Sequence, residues 1–320
     1  MASATLLLPA RTRLVGQALP TAVAKALGRS DRSRGEEGER AQLRRQFQLI
    51  PDYLPGHWPV AALTRQLDAG DAASSAWLRA DPARVAPDMT GARMLAHGDA
   101  LALTEEDLTQ LLPALRPLFG DAGFPLDAPH PSRWYLRVPK DAPLPAFAPV
   151  DDVLGDDLFA HLPDGDAGRR WRALLTEAQV TLHNHPWNVR RVAEGKPPVN
   201  SLWFWGGGVL PDVVRTSFRQ IKGNEVLLRA LASAAGVAPT SAESEEVDAL
   251  IDLRQLRNLD MLCRDALLPL LAALGKRELD SLTLDFEDGA IFILRRDQRW
   301  RFWRRPMQRL DTLRPDEVPV

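Results

Sequence analysis

Apolar residues recur at helical spacing in several stretches of the chain. The clearest stretch begins at Thr104, where three acidic residues precede Leu108, Leu111, Leu112 and Leu115. A threonine cap, acids in the first turn and an i, i+3, i+4, i+7 stripe predict a helix, which Pro117 is expected to limit. The same spacing predicts helices over residues 19–27, 60–67, 171–182, 224–231 and 260–274. Asn224 is the expected cap of the fifth of these, and Gly275 the end of the last.

Alternating or wholly apolar runs predict strands between these helices. Residues 76–79, 133–138, 201–205 and 248–253 have this pattern, and Asp81-Pro82 is expected to end the first strand in a turn. Asp288-Gly289 between two alternating runs predicts a hairpin over residues 281–296. Together the runs predict an α/β fold with a predominantly parallel sheet, helices on both faces and a C-terminal β-hairpin.

The same patterns predict how the chain is organised. Residues 1–75 are expected to form an irregular helical N-terminal segment, in which the charged, glycine-bearing run at residues 30–40 is a mobile loop. Residues 76–320 are expected to form one α/β domain, which ends in the hairpin and a basic aromatic tail.

Composition narrows the function classes. With 320 residues, 45% of them hydrophobic, the chain can bury a substantial core. Its 40 basic and 42 acidic residues leave a net charge of −2, so a nucleic-acid role requires a local basic patch. The single cysteine, Cys263, lies in an apolar helical run and is expected to be a core residue. Without a long apolar run or a disulfide pair, the sequence predicts a cytoplasmic protein with no membrane contact.

The densest group of polar and aromatic residues lies between residues 183 and 208. Three glycines follow a predicted buried strand, where their amides can converge on an anion such as a phosphate. The expected ligand-binding residues are Arg79, His183, His185, Asn188, Arg190, Asn200, Trp203, Trp205, Gly206, Gly207 and Gly208. The alternative for the glycines is a simple tight turn, and for Trp203 and Trp205 a place in the core wall. His183 and His185 have no acidic partner at metal-ligand spacing, so no metal site is expected.

Two further groups are candidates for binding. A basic run interleaved with aromatics offers phosphate and base contacts for nucleic acid through Arg295, Arg296, Arg299, Trp300, Arg301, Trp303, Arg304 and Arg305. The alternative is a terminal strand in which Trp300 and Phe302 face inward. Near predicted strand ends, Arg79, Asp81, His130 and Arg133 can converge with the glycines, although turn capping also explains Asp81.

Three ordered segments give a resemblance to a known family. Trp77-Leu78-Arg79-Ala80-Asp81-Pro82, the run 128–137 and the run 183–208 resemble the RpfE-type regulatory-protein family of bacteria, over residues 76 to 305. The run 199–208, with its Asn-x-x-Trp-x-Trp-Gly-x-Gly pattern, is also similar to archaeal-type cofactor-independent phosphoglycerate mutases. Those enzymes belong to the alkaline-phosphatase superfamily.

The second resemblance implies a chemistry that the sequence can be checked against. Mutases of that class pass a phosphoryl group through a serine held between two divalent metals. The resemblance implies an Asp-Gly after the first strand and a Gly-Asp-His-Gly run near the end, and the sequence has neither. Ser132 and Ser201 have no base with evident geometry.

These observations predict binding without metal-dependent turnover. The expected protein is a regulatory one on a degenerate mutase-like scaffold, with no catalytic residue and no cofactor, whose partner is a phosphorylated small molecule or a regulatory protein. Two alternatives stay open. One is an active phosphoglycerate mutase or phosphatase-like enzyme, and the other is a nucleic-acid-binding protein.

Overall fold

A computed structural model of the chain describes residues 2–14, 18–54, 57–89, 91–237 and 248–310. The chain forms two compact units. Unit 1 combines Met1–Leu49 with Val213–Val320, and unit 2 is the continuous segment Ile50–Asp212. The predicted boundary at residue 75 therefore differs from the observed one, because residues before 50 contribute strands to the sheet that the C-terminal third builds.

Strands and helices interleave along the described residues. The strands are β1 (Ser3–Leu8), β2 (Asp31–Arg34), β3 (Gln48–Ile50), β4 (Ala76–Asp88), β5 (Gly91–His97), β6 (Leu126–His130), β7 (Arg133–Val138), β8 (Ser201–Val209), β9 (Val213–Arg215), β10 (Gln220–Lys222), β11 (Ala249–Asp252), β12 (Ser281–Phe286) and β13 (Ala290–Arg295). The helices are α1 (Thr21–Arg29), α2 (Glu39–Gln46), α3 (Val60–Ala69), α4 (Glu105–Asp121), α5 (Val150–Val153), α6 (Gly165–His183), α7 (Trp187–Ala193), α8 (Val226–Ala234), α9 (Leu259–Leu262) and α10 (Leu268–Lys276). A π-helical turn, Cys263–Leu267, joins α9 to α10.

Unit 1 is built on a six-stranded sheet in the order β10-β11-β1-β12-β13-β2. The first four strands are mutually parallel, and β13 and β2 are antiparallel to their neighbours. Leu6, Leu7 and Leu8 of β1 are fully buried, as expected of a parallel strand covered on both faces. The predicted hairpin is confirmed as β12 and β13, and Cys263 lies in the core of this unit.

The elements of unit 1 that were not predicted include β1 and β2. The leucine run of β1 is too short to show a period, yet it is the strand between β11 and β12. Residues 31–34, inside the predicted mobile loop, form β2 and pair with β13. Both strands form because they pair with strands far away along the chain, and the local sequence pattern does not predict such pairing.

Unit 2 contains an antiparallel sheet centred on the 13-residue strand β4. One edge of β4 pairs with β8, while its other edge pairs with β7 and then β5, and β6 pairs with β7. The turn predicted at Asp81-Pro82 is wrong, because β4 runs through it and Pro82 lies opposite Leu202 of β8. The α/β class is confirmed, and β10, β11, β1 and β12 are mutually parallel, whereas the ladders that β4 and β7 form in unit 2 are antiparallel.

The predicted helices are present with altered limits. Thr104 and Asp107 form a capping box at the start of α4, as expected, but α4 continues through Pro117 to Asp121. Asn224 is not the cap of α8, since the carboxylate of Glu225 accepts from the amides of Leu227 and Leu228. No described helix has the length and apolar character needed to span a membrane.

Candidate functional site

The three consecutive glycines lie within β8 and do not form a terminal turn. Gly208 pairs with Trp77 of β4, at an irregularity in the ladder. Gly206 and Gly208 have φ values of +66° and +155°, and a Cβ atom at each would lie 3.0 Å from Val60 Cβ and 2.7 Å from Pro59 Cβ respectively. Glycine therefore lets this strand pass close to the start of α3. The predicted phosphate cradle is replaced by close packing.

A buried ion pair lies beside this strand. The guanidinium of Arg79 donates to both carboxylate oxygens of Asp81, at 2.8 and 2.9 Å. Trp205 Nε1 donates to Asp81 Oδ2 at 2.7 Å, and Arg79 Nη1 lies 3.3 Å from the hydroxyl of Thr64. Because each partner is buried and hydrogen-bonded, Arg79 and Trp205 stabilise the interior of unit 2 and are not available to a ligand.

The predicted convergence of Arg79, Asp81 and Arg133 is partly present. The guanidinium of Arg79 lies 5.3 Å from the ring centre of Tyr135, whose hydroxyl donates to Asp68 at 2.6 Å. Arg133 binds the same carboxylate through two hydrogen bonds of 2.7 Å. Burial raises the pKa of Asp68, but the hydrogen bonds from Arg133 and Tyr135 outweigh it and hold that pKa below its usual value.

His130, Ser132 and Asp99 lie together at the β6–β7 turn. The Ser132 hydroxyl donates to Asp99 and lies 3.0 Å from His130 Nδ1, which also accepts from the Ser132 amide at 3.2 Å. A catalytic triad needs the carboxylate on the far nitrogen of the histidine, whereas here both groups contact the serine. Burial and the nearby Arg133 lower the pKa of His130, so the ring is neutral near pH 7. The arrangement braces a turn.

Two predicted ligand residues, Asn188 and Asn200, instead hold backbone segments together. Asn200 bonds the amide and carbonyl of Val85 at 2.8 and 2.7 Å, which fastens the start of β8 to β4. Asn188 donates to the carbonyls of Leu182 and Val199 and accepts from the Val199 amide. Both side-chain amides are therefore engaged by main-chain partners.

Trp203 belongs to the core wall, which was the alternative interpretation. Its indole donates to the Ala148 carbonyl at 3.0 Å. It borders a small, partly open cavity lined by Phe147, Leu162, Pro163, Trp171, Arg172, Leu175 and Phe204. The guanidinium of Arg172 is engaged by the Pro163 carbonyl, so this apolar cavity has no group directed at an anion.

The remaining predicted ligand residues, His183, His185 and Arg190, lie at the surface around α7. His185 Nδ1 accepts from the Trp187 amide at 3.2 Å, and His183 is exposed at the end of α6. Arg190 is paired with Glu194 at 3.0 Å. These side chains do not converge with the glycines of β8.

The carboxyl ends of the parallel strands in unit 1 carry a group that the sequence analysis missed. Arg254, only 2% exposed, binds both oxygens of Asp252 at 2.8 and 2.7 Å. The carboxylates of Glu39 and Glu225 lie 3.4 and 3.6 Å from the same guanidinium. Burial lowers the pKa of Arg254, but the surrounding carboxylates outweigh it and the net pKa is raised, so the side chain is a permanent cation.

A second pair lies at the end of β12. Arg45 of α2 donates to both oxygens of the buried Asp285, at 2.9 and 2.6 Å, and Gln46 adds a third bond. Gln42 donates to the carbonyls of Leu8 and Asp285, which fixes α2 across the ends of β1 and β12. The signal that could have found this group is an acid at the end of each strand, since open α/β sheets present their carboxyl ends to ligands.

The carboxylates at this edge do not fit the two-metal chemistry that the mutase resemblance implies. Asp252 and Asp285 are each held bidentate by a guanidinium, so the oxygens that a divalent cation would need are engaged. Within the described ranges, no group of three or more His, Cys, Asp or Glu side chains has an arrangement that can hold a metal ion.

The basic aromatic segment lies on unit 1 and is largely exposed. It forms a 3-10 turn, Arg296–Trp300, followed by irregular chain. The interpretation as a strand with Trp300 and Phe302 facing inward is wrong, because their side chains are 64% and 78% exposed. Of its arginines, Arg295 and Arg301 pair with Asp31, and Arg304 donates to the Ser30 carbonyl.

Sequence comparisons show a local similarity to one class of enzyme. A probable 2,3-bisphosphoglycerate-independent phosphoglycerate mutase of Geobacter sulfurreducens is 43% identical over 63 residues, which are 20% of this chain and 16% of that protein. The corresponding enzymes of Methanosarcina mazei and Methanothrix thermoacetophila are 38% and 36% identical over 77 and 88 residues. The matched segments span 19% and 21% of those two relatives, so the chain matches only about a fifth of their length. No family model matches the chain.

Solved structures that superpose on this chain have lower sequence identity to it. A cofactor-independent phosphoglycerate mutase from Thermoplasma acidophilum superposes over 92% of this chain and 89% of its own, with a TM-score of 0.43 and 15% identity. A protein of Pyrococcus horikoshii superposes over 92% of this chain and 87% of its own, with a TM-score of 0.45 and 13% identity.

Proposed function

We propose that this protein acts by binding, in a regulatory capacity, and does not carry out metal-dependent phosphoryl transfer. The proposal rests on two ion pairs: Arg254 holds the carboxylate of Asp252, and Arg45 holds the carboxylate of Asp285. These two acids lie at the ends of β11 and β12, at the sheet edge where α/β enzymes assemble their sites.

Phosphoryl transfer by two metals requires exchangeable cations that neutralise charge as it develops. A guanidinium that is held by two hydrogen bonds neutralises its carboxylate permanently. Unlike a metal ion, it cannot exchange one of its ligands for a phosphate oxygen of a substrate. The hydroxyls that the sequence offered as nucleophiles are also engaged. Ser201 is fully buried and bonded to Gln179, and Ser132 is bonded to Asp99.

Resemblance supports the regulatory part of the proposal. The order of the segments that resemble the RpfE-type family favours a bacterial cytoplasmic regulator, and the local similarity to phosphoglycerate mutases favours a shared scaffold segment. Since Gly206, Gly207 and Gly208 are packed within a strand, we place a macromolecular partner ahead of a phosphorylated small molecule.

Turnover of phosphoglycerate in the presence of Mg²⁺ or Mn²⁺ tests the proposal directly. We expect the full chain to show no turnover above that of its Asp252→Asn variant. We also expect the divalent ions not to raise its melting temperature, because the oxygens of Asp252 and Asp285 are already held by guanidiniums. Metal-dependent turnover that Asp252→Asn abolishes, and that the exposed control Asp166→Asn retains, would overturn the proposal in favour of an active enzyme.

A thermal-shift series with phosphoglycerate and inorganic phosphate separates the two kinds of partner. A ligand that binds only the folded state must raise the melting temperature as its concentration rises. We expect neither anion to do so at millimolar concentration. A saturable rise with phosphoglycerate, but not with sulfate at equal ionic strength, would replace the macromolecular partner by a phosphorylated ligand.

A further inference from the structure

Three large aromatic side chains project from one short segment of unit 1. Trp300, Phe302 and Trp303 are 64%, 78% and 69% exposed. Phe302 and Trp303 pack edge to face, with ring centres 5.5 Å apart and planes at 79°, so their faces point in different directions. Exposure of three neighbouring aromatics costs hydration free energy, and such a cluster marks an interaction surface.

The segment that carries these rings is fastened to the rest of unit 1. Gln298, almost fully buried, donates to Asp31 and to the Ile293 carbonyl at 3.0 and 3.1 Å. Arg29 donates to the Arg299 carbonyl at 2.8 Å, and Arg301 donates back to the Arg29 carbonyl at 3.2 Å. These bonds fix the backbone that presents the aromatics, so a partner meets a preorganised surface and little ordering entropy is lost.

The same segment carries uncompensated positive charge. Asp31 pairs with both Arg295 and Arg301 and offsets one of their two charges, while Arg296, Arg299 and Arg305 have no acidic partner among the residues that the structure describes. Desolvation and the neighbouring cations Arg277 and Arg299 lower the pKa of Arg296, which shows how closely the cations are crowded. One acid, Asp297, lies among them. The local charge is therefore positive although the whole chain is slightly negative.

We propose that residues 296–305 form a binding surface for single-stranded nucleic acid. The free guanidiniums match phosphate oxygens, and the exposed faces of Trp300, Phe302 and Trp303 match unpaired bases. Arg299 lies 4.8 Å from the ring centre of Trp300, which places a cation beside a stacking surface. The segment follows Arg295, which pairs with Ser281 at the opposite end of β12 from Asp285, so the proposal does not depend on the proposed function.

The composition of the surface favours nucleic acid over a lipid membrane. The segment 296–305 contains arginines and aromatics but no leucine, isoleucine, valine or methionine. A membrane-surface helix buries one apolar helical face, whereas this segment is a short 3-10 turn followed by irregular chain. Stacking on bases needs only ring faces flanked by cations.

Fluorescence anisotropy of the full chain with labelled single-stranded RNA and DNA of about 20 nucleotides tests the proposal. We expect binding that weakens steeply as salt rises. The combined change Trp300→Ala, Phe302→Ala and Trp303→Ala should weaken binding at least tenfold, as expected for loss of base stacking. The conservative change of both tryptophans to Phe should keep most of the affinity, because the ring faces remain.

The salt dependence of the affinity tests the role of the arginines separately. Changing Arg299 and Arg305 to Gln should reduce the slope of log affinity against log salt by roughly 1 to 1.5. The matched control combines Phe159→Ala with Arg169→Gln, which are exposed in unit 2, and should leave the affinity unchanged. Thermal unfolding of each variant confirms that the fold is kept.

Absence of binding at low salt, or equal weakening by the control, would overturn the proposal. Binding to vesicles of anionic lipid without binding to nucleic acid would also overturn it, in favour of a membrane surface. These outcomes are distinct from those of the turnover assay, because the two experiments depend on different residues.

Discussion

The guanidinium of Arg191 lies 2.7 Å from the carboxylate of Asp107, although both side chains are almost completely buried. The same carboxylate accepts from Trp187 Nε1 at 2.7 Å and caps α4 through the Thr104 amide at 2.8 Å. Burial raises the pKa of Asp107, but these bonds outweigh it and hold the pKa below its usual value. One carboxylate thus joins the start of α4 to α7.

Replacing Asp107 by Asn should be strongly destabilising, because it leaves the buried Arg191 cation without its counter-ion. We expect the free energy of unfolding to fall by about 3–5 kcal/mol, measured by urea denaturation. Asp166 is 92% exposed in its pair with Arg169, so the control Asp166→Asn should change stability by less than about 0.5 kcal/mol. Equal effects of the two changes would contradict this role.

Replacing Trp205 by Phe tests whether Trp205 is structural. The change keeps the ring but removes the N–H that Asp81 accepts, which leaves a buried acceptor with one partner fewer. We expect a loss of about 1–3 kcal/mol in unfolding free energy. The control Trp300→Phe alters an exposed ring and should change stability little. A Trp205→Phe protein of native stability would show that the hydrogen bond is not needed.

Stability should also fall as the pH drops below about 6.5. The pKa of His130 is lowered in the folded state, so below the ordinary histidine pKa of 6.5 the unfolded chain binds a proton that the folded chain does not. Stability from this group is therefore complete above pH 6.5 and is lost as the pH falls towards the folded pKa. The aspartates whose pKa is lowered change the stability only below their ordinary pKa of 3.8.

Urea midpoints measured between pH 8 and pH 5 follow this loss. His130→Asn keeps a polar side chain at the turn but cannot titrate, so its stability should depend less on pH over that range. His183→Asn, which removes an exposed histidine at the end of α6, is the matched control. If the two variants behave alike, His130 is not the group responsible.

Replacing Arg254 alone should lower the free energy of unfolding more than replacing Arg254 and Asp252 together. Arg254→Met leaves Asp252 and the nearby Glu39 and Glu225 without a counter-ion, and we expect a loss of about 3–5 kcal/mol in unfolding free energy. Adding Asp252→Asn to that change removes one uncompensated charge and should recover part of the loss. A double variant that is less stable than the single one would contradict the ion-pair account.

Much of the fold follows from local patterns, because periodicity and caps report local structure. Thr104 marked the start of α4, and Asp288-Gly289 marked the hairpin between β12 and β13. The sequence did not reveal β1, because its short leucine run is explained only by strands far away along the chain. Pro82 likewise suggested a break, whereas pairing with β8 keeps it within β4.

The candidate site was harder to predict for a related reason. Glycine runs suggest either a ligand turn or close packing, and only the neighbouring Val60 and Pro59 decide between them. Asn188 and Asn200 look like ligand groups until their main-chain partners are known. The pairs of Arg254 and Arg45 depend on where strands end, which a pattern of hydrophobic residues does not give.

The position of β1 has a consequence for synthesis of the protein. Ala4 pairs with Ala249 on one side and with Leu282 on the other, so β1 leaves the ribosome long before either neighbour exists. Unit 2 is continuous and can begin to fold while translation proceeds. Unit 1 cannot complete its six-stranded sheet until Arg295, the last residue of β13, has emerged, and until then the leucines of β1 lack the strands that flank them.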